Sequence, residues 1–547
     1  MNKKSTITIL LLFFPFLTIQ SQDNLLIKSD FTEQDTLRGG ITPERAWWDL
    51  TYYHLDISVN PEEKSIKGKN TVQYKVVEPN SILQIDLQPP LKITKVVQDE
   101  KELNVMQNGN VYFIEVNGNQ ETGSLHLLDV YYEGKPKEAV RAPWDGGFSW
   151  KKDENGNDFI ATSCQGLGAS VWWPCKDHMY DEVDSMLISV TNPKGLSNIS
   201  NGRLRSVVEN LDNTVTSHWF VNNPINNYGV NVNIGDYLHF SEVYEGENGP
   251  LDMDYYVLSY NLEKAKEHFK DAPKMMKAFE YWFGPYPFYE DGFKLVEVPY
   301  LGMEHQSSVT YGNNYQKGYK GTDLSGTGWG LKFDYLIIHE SGHEWFANNI
   351  TYRDIADMWI HEGFTTYSEN LMLDYYYGKE AASEYVIGLR KLIQNDKPII
   401  GQYDVNNRGS GDMYPKGANI LHNVRQLIDN DEKWRQILRG LNKTFYHQTV
   451  TTKQIEDYLS EQSGMDLTTF FNQYLRTTQI PILEYKIENN GLIYRWTNII
   501  ENFDMPIQVT VDGEEKWLFP ESEWKTIGVS GNTIKVDPNF YIETKQL

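Results

Sequence analysis

The stretch IIHESGHEWFANNI, residues 337–350, carries two histidines four residues apart with a glutamate between them. A helix would bring His339 and His343 to one face, about one turn apart, which suits the first two ligands of a zinc ion. Glu340 lies in the same turn and is placed to take a proton from a water molecule rather than to bind the metal. An exposed helix with two unrelated histidines is the alternative interpretation of this pattern alone.

A catalytic zinc site needs a third protein ligand and one open position. The collagenase-like extension of the motif is excluded, because Phe346 and Asn349 stand where it requires glycine and histidine. Downstream, the segment DMWIHEGFTTYSENL, residues 357–371, offers Glu362 near the start of a second predicted helix. His361 is the competing ligand, and the geometry expected from the sequence favours neither strongly.

The two segments together resemble the zinc signature of the aminopeptidase N and leukotriene epoxide hydrolase family, a gluzincin group. Eighteen residues separate His343 from Glu362, and residues 359–364 match the family segment whose glutamate is the third ligand. The resemblance therefore implies one zinc ion per chain, held by His339, His343 and Glu362. It also implies a thermolysin-like, mostly helical catalytic domain around this site.

A third segment, YLGMEHQSS at residues 300–308, resembles the G-A-M-E-N motif of the same family. The resemblance implies that Glu304 binds the free α-ammonium of the substrate and that the backbone of Gly302 and Met303 lies along it. Leu301 in the first position and His305 in the last depart from the usual residues.

Two further segments complete the resemblance. SCQGLGASVWWPCKD, residues 163–177, resembles the segment that supplies a second amine-binding side chain, and Gln165 stands where many aminopeptidases of the family carry glutamate. MYPKGANIL, residues 413–421, resembles the Y-x-K-G segment, which implies that Tyr414 stabilises the tetrahedral intermediate. The resemblance extends from about residue 45 to the end and lacks the large helical C-terminal domain of many members.

The hydrophobic pattern predicts an α+β multidomain protein. Short alternating runs separated by turn residues indicate an N-terminal antiparallel β domain at residues 43–256. Helical spacing dominates the catalytic domain expected at 257–479, and alternation returns in a small β-sandwich-like module at 480–547. Within that module, Asn489, Asn490 and Gly491 predict a hairpin turn.

Composition limits the classes of partner. The net charge of −25 argues against a nucleic-acid partner, because phosphate binding needs a basic face. The same acidity favours cationic ligands, including peptides with a free amino end. The two cysteines, Cys164 and Cys175, are compatible with a disulfide or with two buried free thiols.

The N-terminus has the layout of a secretory signal. Lys3 and Lys4 precede an apolar run over about residues 7–19, which is too short to span a bilayer comfortably, and small polar residues follow. We expect residues 1–22 to be a signal peptide and the mature protein to be periplasmic or secreted. No later segment offers about 18 uninterrupted apolar residues, so no membrane span is expected.

These features predict a zinc-dependent aminopeptidase that removes N-terminal residues from peptides. An epoxide hydrolase is one alternative, because that branch of the family also has glutamine at the position of Gln165. An endopeptidase with an open cleft is another, because the helical C-terminal domain is missing. A non-catalytic binding protein on the same scaffold is the third, and the sequence does not indicate an oligomeric state.

Overall fold

The computed structural model describes residues 30–118, 120–530 and 533–547. The expected signal peptide at residues 1–22 lies outside the described residues. The described chain divides into an N-terminal β region, a mostly helical middle region and a C-terminal β module, which confirms the predicted α+β class.

The N-terminal region consists mainly of strands that alternate buried and exposed side chains. Its largest sheet has eight strands in the order β13-β14-β11-β1-β2-β8-β4-β5, and a four-stranded sheet (β12-β15-β10-β9) and a three-stranded sheet (β3-β7-β6) accompany it. The pairs of the large sheet are antiparallel except β1 with β11. The helices and strands are α1 (Glu33–Gly39), α2 (Pro43–Ala46), β1 (Trp48–Asn60), β2 (Ser65–Val76), β3 (Ile82–Asp86), β4 (Lys92–Gln98), β5 (Lys101–Glu102), β6 (Val105–Asn108), β7 (Val111–Glu115), β8 (Leu125–Gly134), β9 (Gly147–Lys152), β10 (Asp158–Ser163), β11 (Ser185–Pro193), β12 (Ser197–Ile199), β13 (Arg203–Glu209), β14 (Thr214–Val221) and β15 (Asn233–Gly235).

The middle region packs helices against a five-stranded sheet in the order β16-β17-β18-β20-β19, which leaves β19 at an edge. A single π-helical turn at Glu344–Asn349 follows helix α5. The helices and strands are β16 (Tyr237–Gly246), β17 (Gly249–Leu258), α3 (Leu262–His268), α4 (Asp271–Phe283), β18 (Phe293–Glu297), β19 (Gly302–Met303), β20 (Val309–Tyr311), α5 (Tyr335–Gly342), β21 (Ile350–Tyr352), α6 (Trp359–Tyr377), α7 (Lys379–Gly388), α8 (Pro415–Ile428), α9 (Asp431–Thr444), β22 (Gln448–Val450), α10 (Thr452–Ser463) and α11 (Thr468–Arg476).

The sheet of the middle region begins before the expected domain boundary. Strands β16 and β17 pair with each other, and β17 pairs with β18, so a boundary between residues 256 and 257 falls inside β17. Alternating side chains identify a strand but do not say which sheet it joins. The sheet pairing therefore assigns β16 and β17 to the middle region.

The C-terminal module has two small sheets, one with the order β27-β24-β23-β29 and one with the order β26-β25-β28. Its strands are β23 (Ile482–Glu488), β24 (Gly491–Thr497), β25 (Ile507–Val511), β26 (Glu514–Leu518), β27 (Lys525–Gly528), β28 (Ile534–Val536) and β29 (Glu543–Gln546). Asn489 and Asn490 have φ angles of 51° and 60°, and Glu488 pairs with Gly491. The predicted hairpin turn is therefore confirmed, because such a two-residue turn requires positive φ at both positions.

Two hydrophobic cores hold these regions together. One core joins the helical middle region to the C-terminal module, so that Tyr474 of α11 and Trp496 of β24 belong to the same cluster. The other fills the N-terminal region and continues into Tyr300 and Met303 of the middle region. The edge strand β19 thus lies where the N-terminal and middle regions meet. Within the described residues, no helix combines the length and the apolar character needed to cross a membrane.

Candidate active site

Helices α5 and α6 bring the histidine pair and the downstream acidic segment together. Asp334 caps α5 by accepting hydrogen bonds from the backbone N–H groups of Leu336 and Ile337. A side chain at Gly342 would place its Cβ 2.6 Å from the Ser368 hydroxyl, so the glycine permits the close approach of the two helices. This close packing places His339 and His343 against α6, whose first turn carries Glu362.

Three buried ligand atoms converge between these helices. The Nε2 atoms of His339 and His343 lie 3.6 Å and 3.3 Å from Oε2 of Glu362. Tetrahedral zinc with bonds of about 2.0–2.1 Å separates its ligand atoms by about 3.3 Å. The Glu362 Oε2 atom is buried and has no hydrogen-bond partner among the described residues. A buried carboxylate oxygen without a partner is costly, so the three residues fit a zinc ion that supplies the missing contact.

The remaining nitrogen of each histidine is already engaged, which directs Nε2 toward the centre. His339 Nδ1 lies 2.7 Å from Glu369 Oε1, and the hydroxyl of Tyr385 donates to the other oxygen of Glu369. His343 Nδ1 lies 3.0 Å from the carbonyl oxygen of Phe346 and 3.0 Å from the Thr365 hydroxyl. Such outer partners fix the ring orientation and tautomer of metal-binding histidines.

His361, the competing third ligand, faces away from the centre. The backbone N–H of Tyr352 donates to His361 Nε2 at 2.8 Å, and Nδ1 lies 3.4 Å from the Tyr228 hydroxyl. The His361 ring also stacks on the ring of Tyr352, with centroids 4.1 Å apart. Both ring nitrogens are therefore occupied, and the geometry favours Glu362.

Glu340 is oriented toward the same centre but does not belong to the converging trio. Burial, together with the neighbouring carboxylates of Glu304 and Glu362, raises the pKa of Glu340 to about 7, although the two histidines oppose that rise. A carboxylate with a pKa near neutrality can both accept and return a proton at physiological pH. Glu304, Glu340 and His343 form a second cluster, in which one metal-ligating atom of each side chain lies within 4.8 Å of the others.

The two residues expected to bind an amine contact each other directly. Gln165, which follows strand β10, donates from Nε2 to Glu304 Oε1 at 2.5 Å and to Glu362 Oε1 at 3.3 Å. The backbone carbonyl of Glu304 accepts a hydrogen bond from Asn348 Nδ2 at 2.9 Å, which ties it to the turn after α5. Burial raises the pKa of Glu304. Gln165 of the N-terminal region and Glu304 of the middle region thus meet beside the metal ligands.

The backbone on either side of Glu304 follows the sheet edge. Gly302 and Met303 form β19 and pair with β20 only, so one side of this strand remains at the edge. A Cβ at Gly302 would lie 2.8 Å from the Thr310 carbonyl oxygen. An exposed strand edge can bind an extended peptide through main-chain hydrogen bonds. His305 is fully buried, and its Nδ1 lies 3.3 Å from the Thr310 hydroxyl.

Tyr414 immediately precedes helix α8 and faces the metal ligands. Its ring stacks on that of His339 with centroids 6.1 Å apart. A Cβ at Gly417 would lie 2.8 Å from the Cα of Gly363, so this glycine lets α8 approach α6 closely. Burial and the neighbouring Glu362 raise the pKa of Tyr414 well above its ordinary value. The hydroxyl is therefore protonated at neutral pH and can act as a hydrogen-bond donor.

All nine residues singled out from the sequence line one cavity of about 250 Å³: Gln165, Gly302, Met303, Glu304, His339, Glu340, His343, Glu362 and Tyr414. Its outer wall adds residues that the sequence analysis did not identify, among them Lys137, Arg141, Trp144 and Arg408. Glu369, behind His339, was also missed, although its position seven residues after Glu362 indicates the same face of a helix.

Cys164 and Cys175 are both buried free thiols, which decides between the two predicted states, a disulfide or two free thiols.

Two sequence models of one peptidase family match the chain. The model described as the peptidase M1 N-terminal domain matches residues 50–228, and the model described as the peptidase family M1 domain matches residues 267–474. The second match includes both histidines and Glu362, and the first includes Gln165.

Known proteins with similar sequences include endoplasmic reticulum aminopeptidase 1 of Mus musculus, 22% identical over 342 residues, covering 60% of this chain and 36% of that protein. Puromycin-sensitive aminopeptidase of Caenorhabditis elegans is 22% identical over 528 residues, covering 91% of this chain and 53% of that protein. The chain thus spans about half the length, or less, of these curated relatives. An M1 zinc metallopeptidase from Deinococcus radiodurans, solved with a Tyr-Ser-Ala substrate, has the same fold, with a TM-score of 0.66. The two sequences are 19% identical, and the match covers 80% of this chain and 96% of that chain.

Proposed function

The chain belongs to peptidase family M1, and from that premise we propose that it is a zinc-dependent aminopeptidase that releases residues from the N-terminus of peptides. One observation carries the proposal: the Gln165–Glu304 pair lies in the same cavity as the converging ligand atoms of His339, His343 and Glu362. The names of the similar proteins, two of which are aminopeptidases, support the same activity.

The residues around the centre have complementary chemical roles. His339, His343 and Glu362 would hold the zinc ion, which would supply Lewis acidity to activate a water molecule and polarise a carbonyl group. Glu340 accepts the proton of the attacking water and returns it to the departing amine. The Tyr414 hydroxyl donates a hydrogen bond to the oxygen that becomes negative during attack, and one such donor typically lowers the barrier by about 3 kcal/mol.

The amine anchor determines which bond is cut. Glu304 is buried and carries the charge complementary to a free α-ammonium, while the side-chain oxygen of Gln165 adds a neutral acceptor. A blocked amine would leave the carboxylate buried without a cationic partner, which costs several kcal/mol in buried sites. Only the first peptide bond of a substrate held in this way reaches Glu340.

The experiment that tests this proposal measures hydrolysis of a short peptide before chelation, after chelation and after zinc is added back. We expect activity to disappear with the chelator and to return with zinc, and the Glu340→Gln variant to bind zinc without activity. Activity that persists in the fully chelated protein would contradict the proposal.

We also propose that the protein is exported to the periplasm or the exterior. The support is the order of basic, apolar and small polar residues within residues 1–22. N-terminal sequencing of the protein recovered from cell fractions tests it: a mature chain beginning near residue 23 outside the cytoplasm is expected, and a full-length cytoplasmic chain would contradict it.

A further inference from the structure

The cavity carries one half-buried cation that the chemistry above does not use. Arg408 lines the cavity together with the metal ligands and Tyr414. Across the described ranges, its guanidinium has no ion pair and no hydrogen bond. Arginine side chains that leave bulk water are usually paired, because the guanidinium presents five donors and always carries its charge. An unpaired guanidinium at a cavity wall therefore suits an anionic group of a ligand.

The loop that carries Arg408 is held firmly relative to the metal site. Gly401 and Gly409 let its two arms approach so closely that a Cβ at Gly401 would lie 2.0 Å from the Asn407 carbonyl oxygen. The Tyr403 hydroxyl donates to Asp357 Oδ1 at 2.6 Å, and the N–H of Asp404 donates to Asp354 Oδ2 at 2.9 Å.

Both acceptors of these bonds, at positions 354 and 357, precede helix α6, whose first turn carries Glu362. The loop and the metal ligand are thus fixed to the same short segment, and Arg408 is pre-organised for binding.

Arg408 and Tyr414 line the same cavity and lie six residues apart along the chain. The positive charge of Arg408 lowers the pKa of the Tyr414 hydroxyl, against the stronger effects of burial and Glu362 that raise it. The amine anchor is the pair of Glu304 and Gln165, whose side chains bond to each other. A peptide held by its amine at Glu304 brings its scissile carbonyl to the proposed oxyanion donor Tyr414, and its downstream part extends past that point, away from the Glu304–Gln165 pair.

We propose that Arg408 binds a substrate carboxylate on the downstream side of the scissile bond, which makes short peptides with a free C-terminus, or peptides with an acidic second residue, the preferred substrates. This inference rests on the proposed aminopeptidase function. The planar guanidinium matches a carboxylate with two parallel hydrogen bonds.

Two other cations of the cavity wall provide a comparison. Lys137 and Arg141 are exposed, and Lys137 Nζ donates to the backbone carbonyl of Asp145 at 3.4 Å. Exposed cations attract anions generally but contribute little to a specific contact. Arg141 is therefore the matched control for Arg408, because both are arginines that line the same cavity and they differ in burial.

The test compares three tripeptides with the same first residue: a neutral one with a free C-terminus, its C-terminal amide, and the amide with aspartate as the second residue. We expect the wild type to have a kcat/KM at least about tenfold higher for one of the two carboxylates than for the neutral amide. The faster of these two peptides shows whether Arg408 binds the C-terminal carboxylate or the side chain of an acidic second residue. Arg408→Gln should reduce the ratio to about one, mainly through KM, while Arg408→Lys keeps part of it and Arg141→Gln keeps nearly all.

Several outcomes would overturn the inference. Equal rates for all three peptides in the wild type would do so. So would a preference for the carboxylate peptide over the neutral amide that persists in Arg408→Gln, or one that is lost to the same extent in Arg141→Gln. Zinc content and circular dichroism of each variant establish that the site and fold are intact. Calorimetric titration of the zinc-loaded Glu340→Gln variant with the acid and the amide measures the same preference as binding. If the wild type cleaves none of the peptides, the proposed function fails, and the calorimetric ratio still decides the role of Arg408.

Discussion

Replacement of Glu369 tests whether the partners behind the histidines hold the metal site together. The carboxylate of Glu369 is fully buried, accepts from His339 Nδ1 at 2.7 Å and accepts a second hydrogen bond from Tyr385. A hydrogen bond to a charged group contributes about 1.5–3 kcal/mol, which corresponds to about 10- to 100-fold in an equilibrium constant. Loss of outer partners of metal-binding histidines weakens metal affinity over the same range, about 10- to 100-fold.

The two replacements of this residue should differ in size. Glu369→Gln retains an oxygen that can accept from His339 and loses the charge, so zinc affinity should fall about tenfold. Glu369→Ala removes the acceptor, and the hydrogen-bond partner left to His339 Nδ1 among the described residues is the Tyr335 hydroxyl at 3.2 Å. Its zinc affinity should therefore fall toward about 100-fold. Competition with a chromophoric chelator measures both values.

The matched control is Glu344→Gln, which changes another fully buried carboxylate, in the π-helical turn that follows α5. Glu344 accepts from the Tyr286 hydroxyl at 2.9 Å and from the backbone N–H of Ser307 at 2.9 Å. Among the described residues, its side chain makes no hydrogen bond to His339 or His343. Its zinc affinity should remain close to that of the wild type. Unchanged zinc affinity in Glu369→Ala, or an equal loss in Glu344→Gln, would refute the argument that Glu369 acts through His339.

Four further substitutions separate the roles of the residues in and around the cavity. Glu340→Gln should retain zinc and lose at least about 10²-fold in kcat, because the proton acceptor is removed while the ligands stay; a loss of zinc would assign Glu340 to the ligands instead. Glu362→Ala should lose zinc in metal analysis, and His361→Ala should keep it; the reverse result would make His361 the third ligand. Tyr414→Phe should lower kcat with little change in KM, since the hydroxyl matters once the oxyanion forms. An effect on KM alone would mean that Tyr414 contacts the substrate in its ground state.

The parts of the molecule that were predicted from sequence are those fixed by local spacing. The interval between His339 and His343 requires only a helix, and the turn at Asn489 and Asn490 requires only positive φ. The choice between His361 and Glu362 was not local. It depends on the backbone N–H of Tyr352, which occupies His361 Nε2 and which no spacing along the chain indicates.

The features that were missed depend on tertiary contacts. Strands β18 and β20 are short and fully buried, so their side chains give no alternation, and a run of this kind cannot be distinguished from a helix segment by periodicity. The helical spacing over residues 261–284 belongs to two helices, α3 and α4, with Pro273 in the first turn of the second, where proline is tolerated. Arg408 stands in a loop without a motif, and only the folded cavity reveals its position.

The measurement that tests the central claim most directly is a mass-spectrometric time course on one peptide in two forms, with a free N-terminus and with an acetylated N-terminus. The account predicts that residues leave the free peptide one at a time from its N-terminus and that the acetylated peptide stays intact. Glu304→Ala should slow cleavage of the free peptide far more than it changes zinc content. Internal cuts at early times, or cleavage of the acetylated peptide at the rate of the free one, would contradict the amine anchor at Glu304 and Gln165 and favour an endopeptidase.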